Sequence, residues 1–134
     1  MKNATPQVYV IAGPNGSGKT TSAKTLLPDL LNCNEYVNAD SVAAALSPFN
    51  PDAVAIQAGR LMLERIHHLA ERGVNFAFET TLASRTFVIF LDQCKARGYE
   101  VNILFLWCVR RILQFNVLIA VWSKEGMTFR KMLF

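Results

Sequence analysis

Residues 13–20 read GPNGSGKT and directly follow the apolar run VYVIA. The spacing GxxxxGK[ST] suits a loop whose backbone N–H groups turn inward around a phosphate, because glycines permit the tight turns that this requires. Lys19 would bring a positive charge to the β- and γ-phosphate oxygens, and the Thr20 hydroxyl would bind Mg²⁺. The next segment has a helical pattern that ends near Pro28, and the N-terminal dipole of such a helix favours the same anion. Strand, loop and helix therefore follow in the order that a nucleotide phosphate site needs.

A second position suited to chemistry is Asp40, which follows the strand-like run Glu35–Asn38. In open α/β sheets, ligands bind beyond the carboxyl ends of the strands, so polar residues there are candidates for the site. A carboxylate near the transferred phosphoryl group can accept the proton of an attacking hydroxyl, and Asp40 is our candidate for this base. Asp40 could equally be the N-cap of a helix that begins near Ser41. The residues alone leave both roles open.

The third polar strand end is FETT, in which Glu79, Thr80 and Thr81 follow the run Val74–Phe78. Glu79 could reach a metal-bound water or a substrate hydroxyl, or it could be a solvated strand terminus. Thr81 could donate a hydrogen bond beside it, and Arg85 could clamp a phosphate or the substrate. Arg85 would lie in a first helical turn, where a cation is poorly placed against the helix dipole. This local cost favours a ligand role for the arginine.

The elements that would position these residues alternate between strand and helix. Strands are predicted at Gln7–Ala12, Glu35–Asn38, Val74–Glu79 and Glu100–Cys108. One helix is predicted over about 52–72, with a stop at Gly73 and with apolar residues at roughly helical intervals: Val54, Leu61, Ile66 and Leu69. Another is predicted over about 85–97, capped by Ser84 and closed by Gly98. The alternation indicates an α/β fold, a P-loop NTPase-type parallel sheet with helices on both faces.

Composition limits the class of protein. The chain has 134 residues, 51% hydrophobic and 18% charged, which suits one compact domain. No apolar run is long enough to span a bilayer, and the N-terminus does not resemble a signal peptide. Three widely spaced cysteines are typical of reduced thiols in a cytosolic protein, and His67 and His68, which lie inside a predicted helix, are expected to be surface or packing residues rather than a metal site. We therefore predict a cytoplasmic protein that does not engage a membrane.

The excess positive charge is confined to the C-terminal segment. Residues 1–109 hold nine basic and nine acidic side chains, whereas residues 110–134 hold five basic side chains and one glutamate. A neutral body argues against a general nucleic-acid surface, so no nucleic-acid partner is predicted. A basic tail that engages nucleic acid or a membrane is an alternative, and it would give salt-sensitive binding.

The segments GPNGSGKTT, NAD, FETTLASR and GYEVNILFLW together resemble the zeta toxin family of phosphate-loop kinases, over roughly the first 108 residues. In that family, ATP phosphorylates a sugar hydroxyl of UDP-N-acetylglucosamine or, in related members, an unestablished small molecule. The resemblance implies ATP and Mg²⁺ as cofactors, a catalytic carboxylate at Asp40, substrate contacts at Glu79 and Thr81, and an antitoxin protein as a candidate partner. It also implies that the ATP phosphates contact the loop residues Gly13, Pro14, Asn15, Gly16, Ser17, Gly18, Lys19, Thr20 and Thr21.

The sequence departs from the family pattern after about Cys108. Relatives carry a helix and then a segment of the type GGHxIPxxVIxRR, whose arginines close over the γ-phosphate, whereas this chain continues ILQFNVLIAVWSKEGMTFRKMLF. Codons for Lys124–Phe134, read from the third base of each, can spell GGHDIPEDVI. We therefore infer a frameshift at or soon after Cys108, which predicts an incomplete kinase core over residues 1–109 and an atypical, out-of-frame tail over residues 110–134.

Loss of the lid arginines would matter, because an arginine beside the transferred phosphoryl group can be worth about 10³ to 10⁵ in rate. Arg110, Arg111 and Arg130 do not stand at the family positions, so the lid role is not assigned to them. The sheet would also lack its last strand and would expose an edge.

Two alternatives to a zeta-type kinase remain: a catalytically impaired nucleotide-binding remnant, or another phosphate-loop kinase of nucleoside, shikimate or antibiotic type.

Overall fold

The computed structural model of the protein describes residues 4–14, 23–24, 28, 32–80, 85–109, 114–123 and 126–133. Together these residues form a six-stranded sheet with helices packed on it. In chain order the elements are β1 Gln7–Ala12, β2 Tyr36–Val37, α1 Ala39–Leu46, a 3₁₀ helix Pro51–Val54, α2 Ala55–Arg72, β3 Phe76–Thr80, α3 Arg85–Ala96, β4 Glu100–Val109, β5 Gln114–Ser123 and β6 Gly126–Leu133. The strand order across the sheet is β2-β3-β1-β4-β5-β6.

The first four strands form the parallel part of the sheet. β1 lies between β3 and β4 and pairs in parallel with both, and β2 pairs in parallel with β3. Five of the six residues of β1 are buried, as expected for a central parallel strand that is covered on both faces. The predicted α/β fold is confirmed, and β1 has the predicted bounds.

Beyond β4 the sheet is antiparallel, which differs from the predicted all-parallel arrangement. β5 pairs antiparallel with β4, and β6 pairs antiparallel with β5, so the sheet is mixed. Residues 114–121, QFNVLIAV, are rich in β-branched and other apolar side chains that favour strands. The prediction of a missing last strand and an exposed β4 edge is therefore wrong. The division into a core and an out-of-frame tail at residue 109 stays a prediction.

One face of the sheet packs against α2 and α3. Phe90 of α3 is 2% exposed, and its ring centroid lies 6.1 Å from that of Phe76 and 5.9 Å from that of Phe78. α2 contributes buried residues at three- and four-residue intervals, which lie on one side of a helix: Ala58, Met62, Ile66, Leu69 and Ala70. Met62, Ile66, Leu69 and Ala70 belong to the larger of two hydrophobic core clusters, together with Phe76, Phe78 and Phe90.

The predicted ends of α2 and α3 agree with the structure. Gly73 follows α2 with φ 67°, and Gly98 closes the turn after α3 with φ 95°, both in the left-handed region that favours glycine. The predicted apolar face of α2 is wrong at one position. Leu61 is 38% exposed, and Met62 is buried in its place, because the side of the helix that meets the sheet is offset by one residue.

The opposite face of the sheet carries a second core cluster. It contains Tyr9, Ile11, Ala77, Leu104 and Leu106 from the strands, together with Ala23 and Cys33. Ala23 and Lys24 are helical and belong to the segment that follows the predicted phosphate loop. The described residues thus place helical structure on both faces of the sheet, as predicted.

The described cysteines and histidines occupy packing or surface positions. Cys33 and Cys94 are buried free thiols, and burial raises the pKa of the Cys94 thiol to about 11, so this thiol stays protonated and unreactive at neutral pH. His67 is exposed and contacts Phe90 edge-on, with ring centroids 4.8 Å apart. Within the part of the chain that the structure describes, no helix combines the length and apolar character needed to cross a membrane.

Candidate functional site

β1 and β3 end side by side at the carboxyl edge of the sheet. Ala12 is paired with Thr80, and Gly13 follows with φ 149°, a conformation that favours glycine. The predicted phosphate loop therefore begins beside the end of the FETT strand. The structure describes Gly13 and Pro14 of this loop. The other predicted loop residues lie outside the described residues: Asn15, Gly16, Ser17, Gly18, Lys19, Thr20 and Thr21.

Glu79 is half-buried and is held by two side chains at β2. Its Oε2 accepts one hydrogen bond from the Tyr36 hydroxyl and another, of 2.8 Å, from Asn38 Nδ2. Hydrogen bonds to a charged acceptor are stronger than neutral ones, so this arrangement fixes the carboxylate firmly. The alternative that Glu79 is simply a solvated strand terminus is wrong. We refer to Tyr36, Asn38 and Glu79 as the Glu79 cluster.

Asn38 is also the N-cap of α1. Its Oδ1 accepts hydrogen bonds from the backbone N–H groups of Asp40, at 2.8 Å, and Ser41, at 3.4 Å. Asn38 has an extended backbone, φ −134° and ψ 122°, as an N-cap residue does. The helix therefore begins at Ala39, and the prediction that Asp40 is the cap of a helix starting near Ser41 is wrong. Asp40 is instead the second residue of α1, exposed, in the first turn of a helix that starts where β2 ends.

The Glu79 cluster lies on the sheet face that carries the segment after the phosphate loop. Glu79 is paired in register with Ile11, and side chains that are opposite each other in a sheet project from the same face. Ile11 belongs to the core cluster that contains Ala23, and Tyr36 packs against this cluster as well. The carboxylate is thus on the side of the sheet where the chain continues from the loop.

The remaining residues predicted on the acceptor side of the site are Thr81 and Arg85. Arg85 is the first residue of α3 and is exposed. Thr81 lies outside the described residues, as does Ser84, the predicted cap of this helix. Among the described residues, no group of three or more His, Cys, Asp or Glu side chains could hold a metal ion by itself. The predicted magnesium ligand, Thr20, lies outside the described residues.

Sequence reasoning missed Tyr36 and Asn38 as members of the site. A signal for Asn38 was available, because asparagine is among the strongest N-cap residues and Asn38 directly follows the strand. Asp40 is an equally good cap type two residues later, and the pattern alone cannot choose between them. Tyr36 carried no signal of its own, because a tyrosine in a strand usually serves packing.

Comparisons with known proteins show which proteins the chain is similar to. A Haemophilus influenzae protein without an assigned function is 27% identical over 94 residues, which cover 70% of this chain and 65% of that protein. Two solved structures share the fold. A Streptococcus pneumoniae structure from the PezAT chromosomal toxin-antitoxin system has a TM-score of 0.65 and 19% identity, over 78% of this chain and 48% of its own. A Chloroflexus aurantiacus protein provisionally assigned as a kinase has a TM-score of 0.60 and 13% identity, over 75% of this chain and 59% of its own.

The chain spans between about half and two thirds of the length of these relatives. The sequence model of the zeta toxin family, by contrast, matches residues 1–126, nearly the whole chain. This match covers the loop at Gly13, the α1 turn with Asp40 and the Glu79 cluster together. The chain belongs to the zeta toxin family.

Proposed function

We propose that the protein is an ATP-dependent kinase of zeta toxin type that transfers the γ-phosphate of ATP to a hydroxyl of a small molecule. A sugar nucleotide resembling UDP-N-acetylglucosamine is the proposed acceptor, on the strength of family membership. The observation that carries the proposal is the pairing of Ala12 with Thr80 and of Ile11 with Glu79. This register brings the start of a phosphate-loop sequence next to a fixed carboxylate, as a phosphoryl-transfer site requires.

The loop sequence suits a nucleoside triphosphate with Mg²⁺. Gly13 already has the positive φ of a glycine-dependent turn, and it stands directly after the central strand. Backbone N–H groups of residues 13–21, except Pro14, which has none, would bind the phosphates. Lys19 would neutralise the β- and γ-oxygens, and the Thr20 hydroxyl would hold the metal ion. A magnesium ion held there would help to neutralise the charge on the transferred group.

Asp40 and Glu79 would have different roles toward the acceptor molecule. Asp40 is exposed in the first turn of α1, and it would accept the proton of the attacking hydroxyl. Glu79 is held by Tyr36 and Asn38, so it would accept a hydrogen bond from the acceptor without changing position. Thr81 and Arg85 would add a hydrogen-bond donor and a cation on the acceptor side.

A second candidate is a nucleotide-binding protein with impaired turnover. The observation that favours it is the tail sequence 110–134, which lacks the arginine-bearing family segment GGHxIPxxVIxRR and carries unrelated bases. Such a protein would bind ATP and would transfer the phosphate slowly or not at all, because the lid cations contribute to charge stabilisation. Both candidate proteins would bind ATP, and they would differ in the rate at which they transfer the phosphate.

The test is ADP formation from ATP in the presence of UDP-N-acetylglucosamine. A kinase forms ADP in proportion to the acceptor, and Asp40→Asn lowers the rate by about 10² to 10⁴, the usual contribution of a general base. Asp52→Asn is the matched control, because Asp52 is also an exposed aspartate in a first helical turn, that of the 3₁₀ helix. ATP binding without acceptor-dependent ADP would favour the impaired protein, and equal rates in both variants would contradict the role of Asp40.

An antitoxin protein is the proposed macromolecular partner. The support is the fold shared with the structure from the PezAT toxin-antitoxin system, together with membership of the family. Nucleic acid and membranes are not proposed as partners, because the charge excess is confined to the tail. Co-expression with the product of a neighbouring reading frame, followed by size-exclusion chromatography, tests for a stable complex.

A further inference from the structure

Asn38 uses both ends of its side-chain amide, and each end contacts a different part of the candidate site. Nδ2 donates to Glu79 Oε2 at 2.8 Å, and Oδ1 accepts from the N–H groups of Asp40 and Ser41. We infer that Asn38 is a positioning residue: it links Glu79 at the end of β3 to the first turn of α1, and so fixes where Asp40 stands relative to Glu79. The inference rests on the proposed function for its catalytic meaning.

The orientation of the amide follows from chemistry. A carboxylate accepts hydrogen bonds and does not donate them, so the NH₂ group must face Glu79. The backbone N–H groups of a first helical turn only donate, so the amide oxygen must face α1. A flipped amide would lose both interactions at once. The two contacts therefore depend on each other, and the asparagine can satisfy both in one rotamer.

Burial makes this link hard to replace with water. Asn38 is 7% exposed, so its polar atoms depend on protein partners. Serine, threonine or aspartate at this position could cap the helix, but none would present an NH₂ group to Glu79. Aspartate would also place a second carboxylate against Glu79, and like charges at that distance repel. Serine and threonine carry a single hydroxyl on a side chain shorter than that of asparagine, so asparagine is the capping residue that offers separate donor and acceptor groups to Glu79 and α1.

The consequence for the site is geometric. Asp40 is two residues beyond Asn38, and its own backbone N–H is one of the two groups that Asn38 holds. A weakened link lets the first turn of α1 move relative to β3. Displacement of a catalytic group by about 1 Å can lower a rate by about 10²-fold. A substitution of Asn38 should therefore change the turnover rate, through the position of Asp40. It should leave the affinity of the loop for ATP unchanged.

The first experiment follows the backbone amides of Asp40 and Ser41 by hydrogen exchange, with no nucleotide present. Asn38→Asp should accelerate exchange at these two amides by about tenfold, although aspartate is itself a good N-cap, because Glu79 repels it. The double variant Asn38→Asp/Glu79→Gln should restore slow exchange, because the introduced amide can donate to the introduced carboxylate. No acceleration in the single variant, or no restoration in the double, would overturn the inference.

The control is Asn102→Asp, which alters a buried asparagine elsewhere in the sheet. Asn102 is also 7% exposed, and its Nδ2 donates to Gln7 Oε1 at 2.8 Å near the start of β1. This substitution should leave exchange at Asp40 and Ser41 unchanged, even if it lowers overall stability. If Asn38→Asp does not fold, Glu79→Gln alone is the second variant. It removes the charge of the acceptor and should give a smaller acceleration at the same two amides, and an unchanged rate would overturn the inference.

The second experiment separates kcat from KM in the ADP assay. Asn38→Asp should lower kcat by about 10- to 100-fold with the KM for ATP within about twofold, whereas a general loss of structure would move both. Equal kcat in Asn38→Asp and the wild type would overturn the inference. If the wild type forms no ADP, the proposed function fails, and the exchange experiment still decides whether Asn38 links Glu79 to α1.

Discussion

Ile11 of β1 is paired in register with Glu79 of β3, so a fixed carboxylate stands beside the strand that leads into the phosphate-loop sequence. Two residues after Ile11 the chain turns at Gly13 with φ 149°. Tyr36 and Asn38 hold Glu79 from the other side, and Asn38 is also the N-cap of α1. Three separate stretches of the sequence therefore meet at one edge of the sheet through backbone pairing and a few side-chain hydrogen bonds.

Two glycines, one inside α2 and one directly after it, give a first prediction. Gly73 follows the helix with φ 67°, and no atom lies within 4 Å of an added Cβ, so Gly73→Ala should destabilise the protein by about 1 kcal/mol through backbone strain alone. Gly59 lies inside the same helix with equally open space, so Gly59→Ala should stabilise it by about 0.5–1 kcal/mol. Urea unfolding of both variants measures the pair, and a shared sign would contradict the assigned end of α2.

Much of this architecture could be predicted from the sequence. β1 and β4 are apolar runs between polar segments, and α2 and α3 end at glycines, so their bounds followed from local chemistry. The two-residue strand β2 was predicted too long, because strand length depends on the pairing with β3, which no local pattern records. The Glu79 cluster depends on the register between β2 and β3 for the same reason. The loop motif predicted phosphate binding from the sequence, but no local pattern predicted that Asn38 would contact both Glu79 and α1.

The aromatic contacts of α3 give a second prediction. Phe90 is 2% exposed and packs against Phe76 and Phe78, so Phe90→Ala should cost about 3–5 kcal/mol of unfolding free energy. Val88 is in the same helix and is 59% exposed, so Val88→Ala should change stability by less than about 0.5 kcal/mol. Chemical denaturation with matched protein concentrations measures both. Similar losses in the two variants would mean that α3 does not pack as described.

The buried Tyr99 and Cys94 give a prediction about alkaline pH. Burial raises the pKa of the Tyr99 hydroxyl to about 12 and that of the Cys94 thiol to about 11. The unfolded chain releases these protons from about pH 9 for the thiol and pH 10 for the hydroxyl, while the folded protein retains them, so stability should fall as pH rises from about 9 to 12.

Tyr99→Phe removes one of these two groups and should flatten the decline between about pH 10 and 12. It should also lower stability at neutral pH by about 1–3 kcal/mol, because the Tyr99 hydroxyl donates to the Val74 carbonyl at 2.7 Å and that oxygen would lose its partner. Unfolding curves at a series of pH values measure both effects. An unchanged slope above pH 10 would exclude Tyr99 as its source.

Lys95 and Trp122 connect the tail to the core and give a further prediction. The Lys95 Nζ lies 3.5 Å from the centroid of the Trp122 ring, which joins α3 to β5. A double-mutant cycle with Lys95→Met and Trp122→Leu should give a coupling energy of about 0.5–1 kcal/mol. Zero coupling would mean that Lys95 and Trp122 do not interact, so that β5 would not contact α3 through this pair.

Titration calorimetry with magnesium-ATP decides whether the protein binds a nucleotide, on which every proposed role of the loop at residues 13–21 depends. The wild type should bind, and Lys19→Ala should weaken the affinity by at least about tenfold, or about 1.4 kcal/mol. Lys24→Ala is the control, because Lys24 is an exposed lysine just beyond the loop, and its affinity should match the wild type. No uptake at millimolar nucleotide by folded wild-type protein, or equal affinity in Lys19→Ala, would contradict the account.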